Sequence, residues 1–197
     1  MARRSDHTRE QLKEIAILAG QELLAESDFS GFSAREVARR IGYTVGTLYH
    51  VFGNYDAIVL HINAVTLDDL EAFLSEGRGK KRQGAAAIKH LAARYEAFAR
   101  RNYHRWSALF EHRLPPEMPL PAWYAEKVAR IFSAVEAPLT PLVGEEKAHH
   151  AARVLWASIH GICALGLAGK LDIVGAKSIA SLTDSLIDNY LAGLTDG

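Results

Sequence analysis

The sequence predicts an all-α fold in two helical parts. Three observations carry that expectation. Apolar residues recur at helical spacing along nearly the whole chain. Helix-start residues stand just ahead of those runs: Thr8 with Gln11 three residues on, Ser33 with Glu36, and Asn54. Glycine and proline segments fall between the runs, and 197 residues, just under half of them apolar, suffice for a core.

The elements follow in order. Thr8 and Gln11 make a capping box for a first helix, with Leu12, Ile15, Ala16, Ala19 and Leu23 on one face. The segment SDFSG ends it. A second capping box, Ser33 with Glu36, opens a short helix whose stripe is Val37, Ala38 and Ile41. Gly42 stops that helix and turns the chain. Thr44 caps a further short helix, Val45 to His50. Asn54 caps a long helix to about Glu76, with Ile58, Ile62, Val65 and Leu70 among its apolar positions. Gly77–Gly84 (GRGKKRQG) is a polar loop. Ala85 to Arg113 is one helix or two, and the proline run Leu114–Pro121 breaks it. Ala122 to Val135 is a shorter helix, closed by Pro138 and Pro141. Glu145 to Lys170 is apolar nearly all round between Val154 and Ala168, so it is expected to be buried. Ala176 to Leu194 carries the seam Ile179, Leu182, Leu186 and Tyr190.

Two short helices joined by a tight turn form a helix-turn-helix, whose second helix fits a DNA major groove. The charge balance speaks against an easy nucleic-acid assignment. Lys and Arg number 23 and Asp and Glu number 23, so the net charge is zero. Basic residues cluster only locally, at Arg3, Arg4, Arg9 and Lys13 and at Arg35, Arg39 and Arg40. A modest salt dependence is expected, because counterion release scales with the phosphates neutralised. The polar start carries no signal peptide, no apolar run is long enough to span a membrane, and one cysteine, Cys163, allows no internal disulfide. A cytoplasmic protein fits these features.

The residues Ser33-x-x-x-Val37-Ala38-x-x-Ile41-Gly42, then Gly46-Thr47-Leu48-Tyr49-x-x-Phe52, then Asn54 and Asp56-Ala57-Ile58, form a more specific pattern. In it the first third of the chain resembles the tetracycline-repressor (TetR) family of bacterial regulators. Farther on, Trp156-x-x-x-His160-Gly161 resembles the signature of a C-terminal class named for Trp, His and Gly. The resemblance implies a DNA-binding domain over 1–56. It implies a helical domain over 57–197 that binds a small molecule and dimerises through its last two helices. The implied function is a transcriptional regulator, not an enzyme. It would bind a palindromic DNA operator as a homodimer and be released by an unidentified effector.

Candidate DNA contacts are Ser33, Arg35, Thr44, Val45, Gly46, Thr47, Tyr49 and His50. Gly46 lets the backbone approach a groove floor, and Val45 and Thr47 suit thymine methyls. Ser33, Arg35 and Tyr49 suit phosphates. Tyr49 can also serve the core, where Phe52 is expected. Tyr55 stands where the family usually has a phosphate-binding lysine, and is kept as a contact candidate without charge. Val51 stands where a histidine or aromatic is common.

Candidate effector contacts are Trp106, Phe110, Trp123, Tyr124, Trp156, His160 and Cys163, although helical cores use many aromatics. The small stripe Ala157, Gly161, Ala164 and Ala168, with Ile179, Leu182, Leu186 and Tyr190, is the candidate dimer interface; packing within one chain is the alternative. Glu145/His149 and Glu146/His150 fall at i, i+4 but lack a third ligand. No metal, cofactor or catalytic residue is expected. The competing reading is a helical small-molecule-binding protein or enzyme whose helix-turn-helix is only structural.

Overall fold

The computed structural model describes residues 7–76, 82–176 and 178–195. Arg3, Arg4 and most of the Gly77–Gly84 loop lie outside these residues. Ten α-helices and no strand occur among the described residues.

They are α1 (Arg9–Glu26), α2 (Ala34–Ile41), α3 (Val45–Phe52), α4 (Tyr55–Ser75) and α5 (Gly84–Arg101). Then come α6 (Tyr103–Glu111), α7 (Ala122–Glu136), α8 (Thr140–Val143), α9 (Glu145–Leu167) and α10 (Ile179–Thr195). The chain divides into two compact units. Unit one holds the described residues up to Asp68 and Asn102–Tyr124; unit two holds Asp69–Arg101 and the residues from Ala125 on.

Local chemistry accounts for the ends of the helices. Thr8 and Gln11 make both halves of the capping box on α1. Ser33 caps α2 by accepting from the Glu36 N–H at 3.3 Å, but the second half of that expected box is replaced. The Glu36 carboxylate pairs with Arg39 one turn on. Asn54 Oδ1 accepts from the Ala57 N–H at 2.8 Å and starts α4. The stretch after the 77–84 loop is two helices, α5 and α6, because Asn102 leaves helical geometry at φ −126°, ψ 38°. Pro141 starts the one-turn helix α8 instead of only ending α7, since proline is tolerated in a first turn.

Unit one packs α1, α2, α3, the first turns of α4, and α6 around Ala16, Leu24, Val37, Leu48, Ile58 and Ile62. Two buried amides stitch it. Gln21 Nε2 donates to the Ile62 carbonyl and to Thr66 Oγ1, and Asn63 Nδ2 donates to the Ala108 carbonyl at 3.3 Å. His112 Nε2 lies 2.9 Å from Asp56 Oδ1, which ties the end of α6 to the first turn of α4.

Unit two corrects two expectations. Helix α9 is not buried all round. Ala148, Ala151, Ala152, Leu155, Ile159 and Cys163 face inward, whereas Ala157, Leu165 and Ala168 are exposed. The inward face of α10 is Ile179, Thr183, Ile187 and Leu191; Leu182, Leu186 and Tyr190 flank it half-buried. Ile179 is therefore spent within its own unit, where a side chain at Gly166 would collide with it. The seam as read from sequence mixed these two adjacent faces, which lie about 100° apart by the helical period.

Gly20 sets how closely α1 approaches α4. A Cβ there would sit 2.8 Å from Ile62 Cγ1, and Ile62 is fully buried. A glycine-to-alanine change inside a helix ordinarily gains about 0.5–1 kcal/mol, whereas overpacking costs about 1–3 kcal/mol. Gly20→Ala is thus expected to lower stability by about 1–2 kcal/mol net in urea denaturation, against the sign of helix propensity.

Candidate functional site

The turn between α2 and α3 rests on Gly42, which adopts the left-handed conformation at φ 76°. The Tyr43 N–H then returns to the Ala38 carbonyl at 2.9 Å. Thr44 caps α3: its hydroxyl accepts from the Thr47 N–H at 3.2 Å and lies 2.9 Å from the Thr47 hydroxyl. Leu48 and Val51 turn into the core, and Phe52 packs partly buried against it. The opposite face carries Gly46, Tyr49 and His50, all exposed, with Tyr49 at 41%. Val45 and Thr47 are half-buried at its edges. A Cβ on Gly46 would meet only the Thr44 hydroxyl, at an ordinary 3.7 Å. The protein's own packing does not require glycine there.

The charges around this face are largely spoken for. Arg39 pairs with Glu36, and Arg40 with Glu26 at 2.7 Å and Glu22 at 3.6 Å. Arg9 donates to the Val51 carbonyl at 3.0 Å. Arg35, exposed beside the equally exposed Ser33, makes no hydrogen bond or ion pair among the described residues. Tyr55 differs from the other candidates. It is half-buried between Phe32 and His112, and its hydroxyl makes a long 3.5 Å bond to the Phe32 carbonyl. Burial and the adjacent Asp56 raise its pKa. The contact role considered for Tyr55 gives way to a packing role in unit one.

The seven aromatic and polar candidates of the second domain do not share a unit. Trp106, Phe110, Trp123 and Tyr124 belong to unit one. There Trp106 is buried edge-on to Phe110, and Trp123 stacks on His61 at 4.6 Å. Trp156, His160 and Cys163 belong to unit two. His160 stacks on Trp156 at 5.6 Å, and its Nδ1 lies 2.9 Å from the Tyr95 hydroxyl. Burial lowers the His160 pKa, which favours the neutral ring. Cys163 is fully buried, and burial lifts its thiol to about 12, so it is an inert packing group.

Among the cavities of unit two, two are neighbours that share Leu91. The inner one, about 40 Å³, is walled by apolar side chains of α4, α5, α7 and α9, with Leu74, Tyr95 and Trp156 among them. The outer one, about 590 Å³ and open to solvent, lies between the first turns of α5, the end of α7 and α8. Ala87, Ala134 and Ala137 leave its space, and Arg82, His90 and Arg130 line it. These residues were missed in the sequence. Their signal was small residues at helical spacing on two facing helices, which aromatic content does not reveal.

Two families match the chain. "Bacterial regulatory proteins, tetR family" covers residues 16–62, and "Tetracyclin repressor-like, C-terminal domain" covers residues 88–190. The chain belongs to the TetR family. This TetR-family chain matches no curated protein significantly in sequence. Solved structures share its fold. A Rhodococcus sp. RHA1 protein of unknown function is 20% identical with a TM-score of 0.73, over 98% of this chain and 100% of that one. A transcriptional regulator from the same source is 23% identical with a TM-score of 0.64, over 93% and 97%. A possible TetR-family regulator from Streptomyces coelicolor A3(2) is 15% identical with a TM-score of 0.65, over 93% and 98%. The helix-turn-helix and the first turns of α4 fall inside the first TetR match, and α9 inside the second. No helix among the described residues is long and apolar enough to cross a membrane.

One titration in unit one has a defined sign. His61, stacked on Trp123, has its pKa lowered to about 4, first by burial and then by the Lys13 charge. The unfolded chain binds this proton near pH 6.5 and the folded chain only near 4. Stability is therefore lost as the pH falls from about 6.5 toward 4. His61→Phe is expected to flatten that loss, read as the difference between the two proteins in urea midpoints across the window.

Proposed function

We propose that this TetR-family regulator is a ligand-released repressor that binds a palindromic operator as a homodimer in the cytoplasm. In this reading, residues 1–56 read DNA and residues 57–197 bind the effector and dimerise. The supporting observation is the outward face of α3. Gly46 there has no packing reason within the chain, and Tyr49 and His50 are exposed beside it. A glycine with open space above it admits close backbone approach to a groove floor. Val45 and Thr47 offer methyl groups at the same face, and the uncommitted Arg35 with Ser33 suits a phosphate.

The dimer contact we assign to the outer face of α9, Ala157, Gly161, Ala164 and Ala168, with Leu182, Leu186 and Tyr190 of α10. A Cβ at Gly161 would meet nothing within 4 Å, and Leu165 on α9 is 51% exposed. Small residues permit close helix approach between two-fold-related copies. The effector site we assign to unit two at Trp156, in keeping with the Trp-His-Gly resemblance of Trp156, His160 and Gly161. Helix α4 contributes to both units and is the coupling element. An effector that shifts it need supply only about 1–3 kcal/mol to change operator affinity roughly 5–150-fold.

Selection from random duplex DNA tests the reading: it should enrich a palindrome with half-sites one helical turn apart, and no enrichment would sink it. On that operator, Tyr49→Phe should weaken binding by about 1–3 kcal/mol through a lost phosphate bond. Arg35→Gln should reduce the slope of log K against log salt by about 0.9, one phosphate's share. In light scattering, Leu182→Arg should yield folded monomers; a persistent dimer would remove the α10 face from the interface.

A further inference from the structure

Residues 1–56 carry 7 Lys and Arg against 8 Asp and Glu, a net charge of −1. A DNA duplex is a polyanion, and affinity without regard to sequence comes almost entirely from cations that neutralise its phosphates. Three of these acids are set against the two arginines at the end of α2. Arg39 Nε lies 3.1 Å from both carboxylate oxygens of Glu36. The Arg39 hydrogen bond lowers the Glu36 pKa, so the pair stays ionised at neutral pH. Glu26 reaches across from α1 to Arg40, whose Nη2 donates to its two oxygens at 2.9 and 2.7 Å. Glu22 adds a second carboxylate 3.6 Å from Arg40. At the start of the same helix, Arg35 is exposed and makes no hydrogen bond or ion pair among the described residues.

Resting on the DNA-binding reading above, we infer that Glu26 and Glu36 are specificity-determining residues, which keep Arg40 and Arg39 from the phosphates of DNA of the wrong sequence. Exposed ion pairs contribute little to stability, so folding alone does not account for their placement. The two kinds of DNA complex use charge differently. On an operator, base contacts from α3 fix the register, and a cation counts only if a phosphate stands within its reach in that one pose. Off the operator nothing fixes the pose, and every unpaired cation near the face finds phosphates in turn. Freeing two arginines therefore raises affinity for arbitrary duplex more than affinity for the operator. Arg35 beside Ser33 is left to serve a phosphate in the docked pose, while the two arginines behind it are neutralised.

The test is a salt titration of the full-length protein by fluorescence anisotropy. One duplex is the palindrome enriched from random DNA, the other a scrambled duplex of the same length and composition. Wild type is compared with Glu26→Gln/Glu36→Gln and with Glu145→Gln/Glu146→Gln. The second pair removes two exposed carboxylates from the first turn of α9 and so matches the change in net charge. At low salt, Glu26→Gln/Glu36→Gln should bind the scrambled duplex at least tenfold more tightly than wild type. Its slope of log K against log salt should steepen by about 0.9–1.8, the share of one to two phosphates. On the palindrome its gain should stay below threefold, and the α9 variant should gain less than threefold on either duplex. Urea midpoints should match that of wild type; a clear drop for Glu26→Gln/Glu36→Gln would assign the pairs to folding and overturn the inference. No gain on scrambled duplex, equal gains on both duplexes, or the same gain from the α9 variant would overturn it too, and leave the operator reading intact. If no palindrome is enriched, there is no specific binding to protect, and both readings fall.

Discussion

The close crossing of α1 on α4 at Gly20 is the constraint on which unit one depends. Ile62 occupies the space a side chain at residue 20 would take. That brings the Gln21 amide against the Ile62 carbonyl and Thr66, one helical step away. A buried amide is costly unless bonded, so this pair works only at one separation and one rotation of the two helices. Asn63, beside Ile62 on α4, makes the corresponding bond to α6. Helices α2 and α3 then rest on the surface these three helices define, through Val37, Ala38 and Leu48. The outward direction of α3 follows from that packing, and its own eight residues are too few to hold it alone.

The zero net charge has a structural explanation. The basic residues near the helix-turn-helix are not missing; acidic neighbours engage Arg39 and Arg40, while Arg35 stays uncommitted among the described residues. Glu36 holds Arg39, and Glu26 and Glu22 hold Arg40. All of these pairs are solvent-exposed to some degree and contribute little stability. Their larger effect is to remove charge from a face that would otherwise attract any polyanion. With few free cations among the described residues, such a reader must draw discrimination from methyl groups, hydroxyls and shape, and non-specific DNA competes with it less strongly.

Much of this architecture was legible in the sequence because helix ends are written in local chemistry. Thr8, Ser33, Thr44 and Asn54 all cap as expected, and Gly42 turns the chain. Properties that depend on tertiary neighbours were not legible. Tyr55 occupies a position suited to a surface lysine, yet Phe32 and His112 draw its ring inward. Glu36 has the spacing of a capping box, but Arg39 offers the stronger, charged partner. On α10, Thr183 is buried while the larger Leu182 and Leu186 are only partly covered, which inverts the order hydrophobicity suggests. Cavities are the extreme case, since they are defined by where side chains are absent. Ala87, Ala134 and Ala137 carry no signal individually.

Helix α9 joins the two halves of the functional proposal. Its residues Leu155, Trp156 and Ile159 wall the inner cavity. Ala157 and Gly161, one and two positions on from two of these, lie on the open face proposed to meet a second copy. In a rigid helix, side chains so close in sequence cannot move independently. A ligand that displaces Trp156 or Ile159 must rotate or translate the small-residue stripe with them. Stripes of small side chains tolerate little displacement, because their contact depends on close backbone approach. If that stripe is the subunit contact, occupancy of the cavity and geometry of the dimer are linked through this one helix. Each would then bias the other by the same free energy, as any pair of coupled equilibria must.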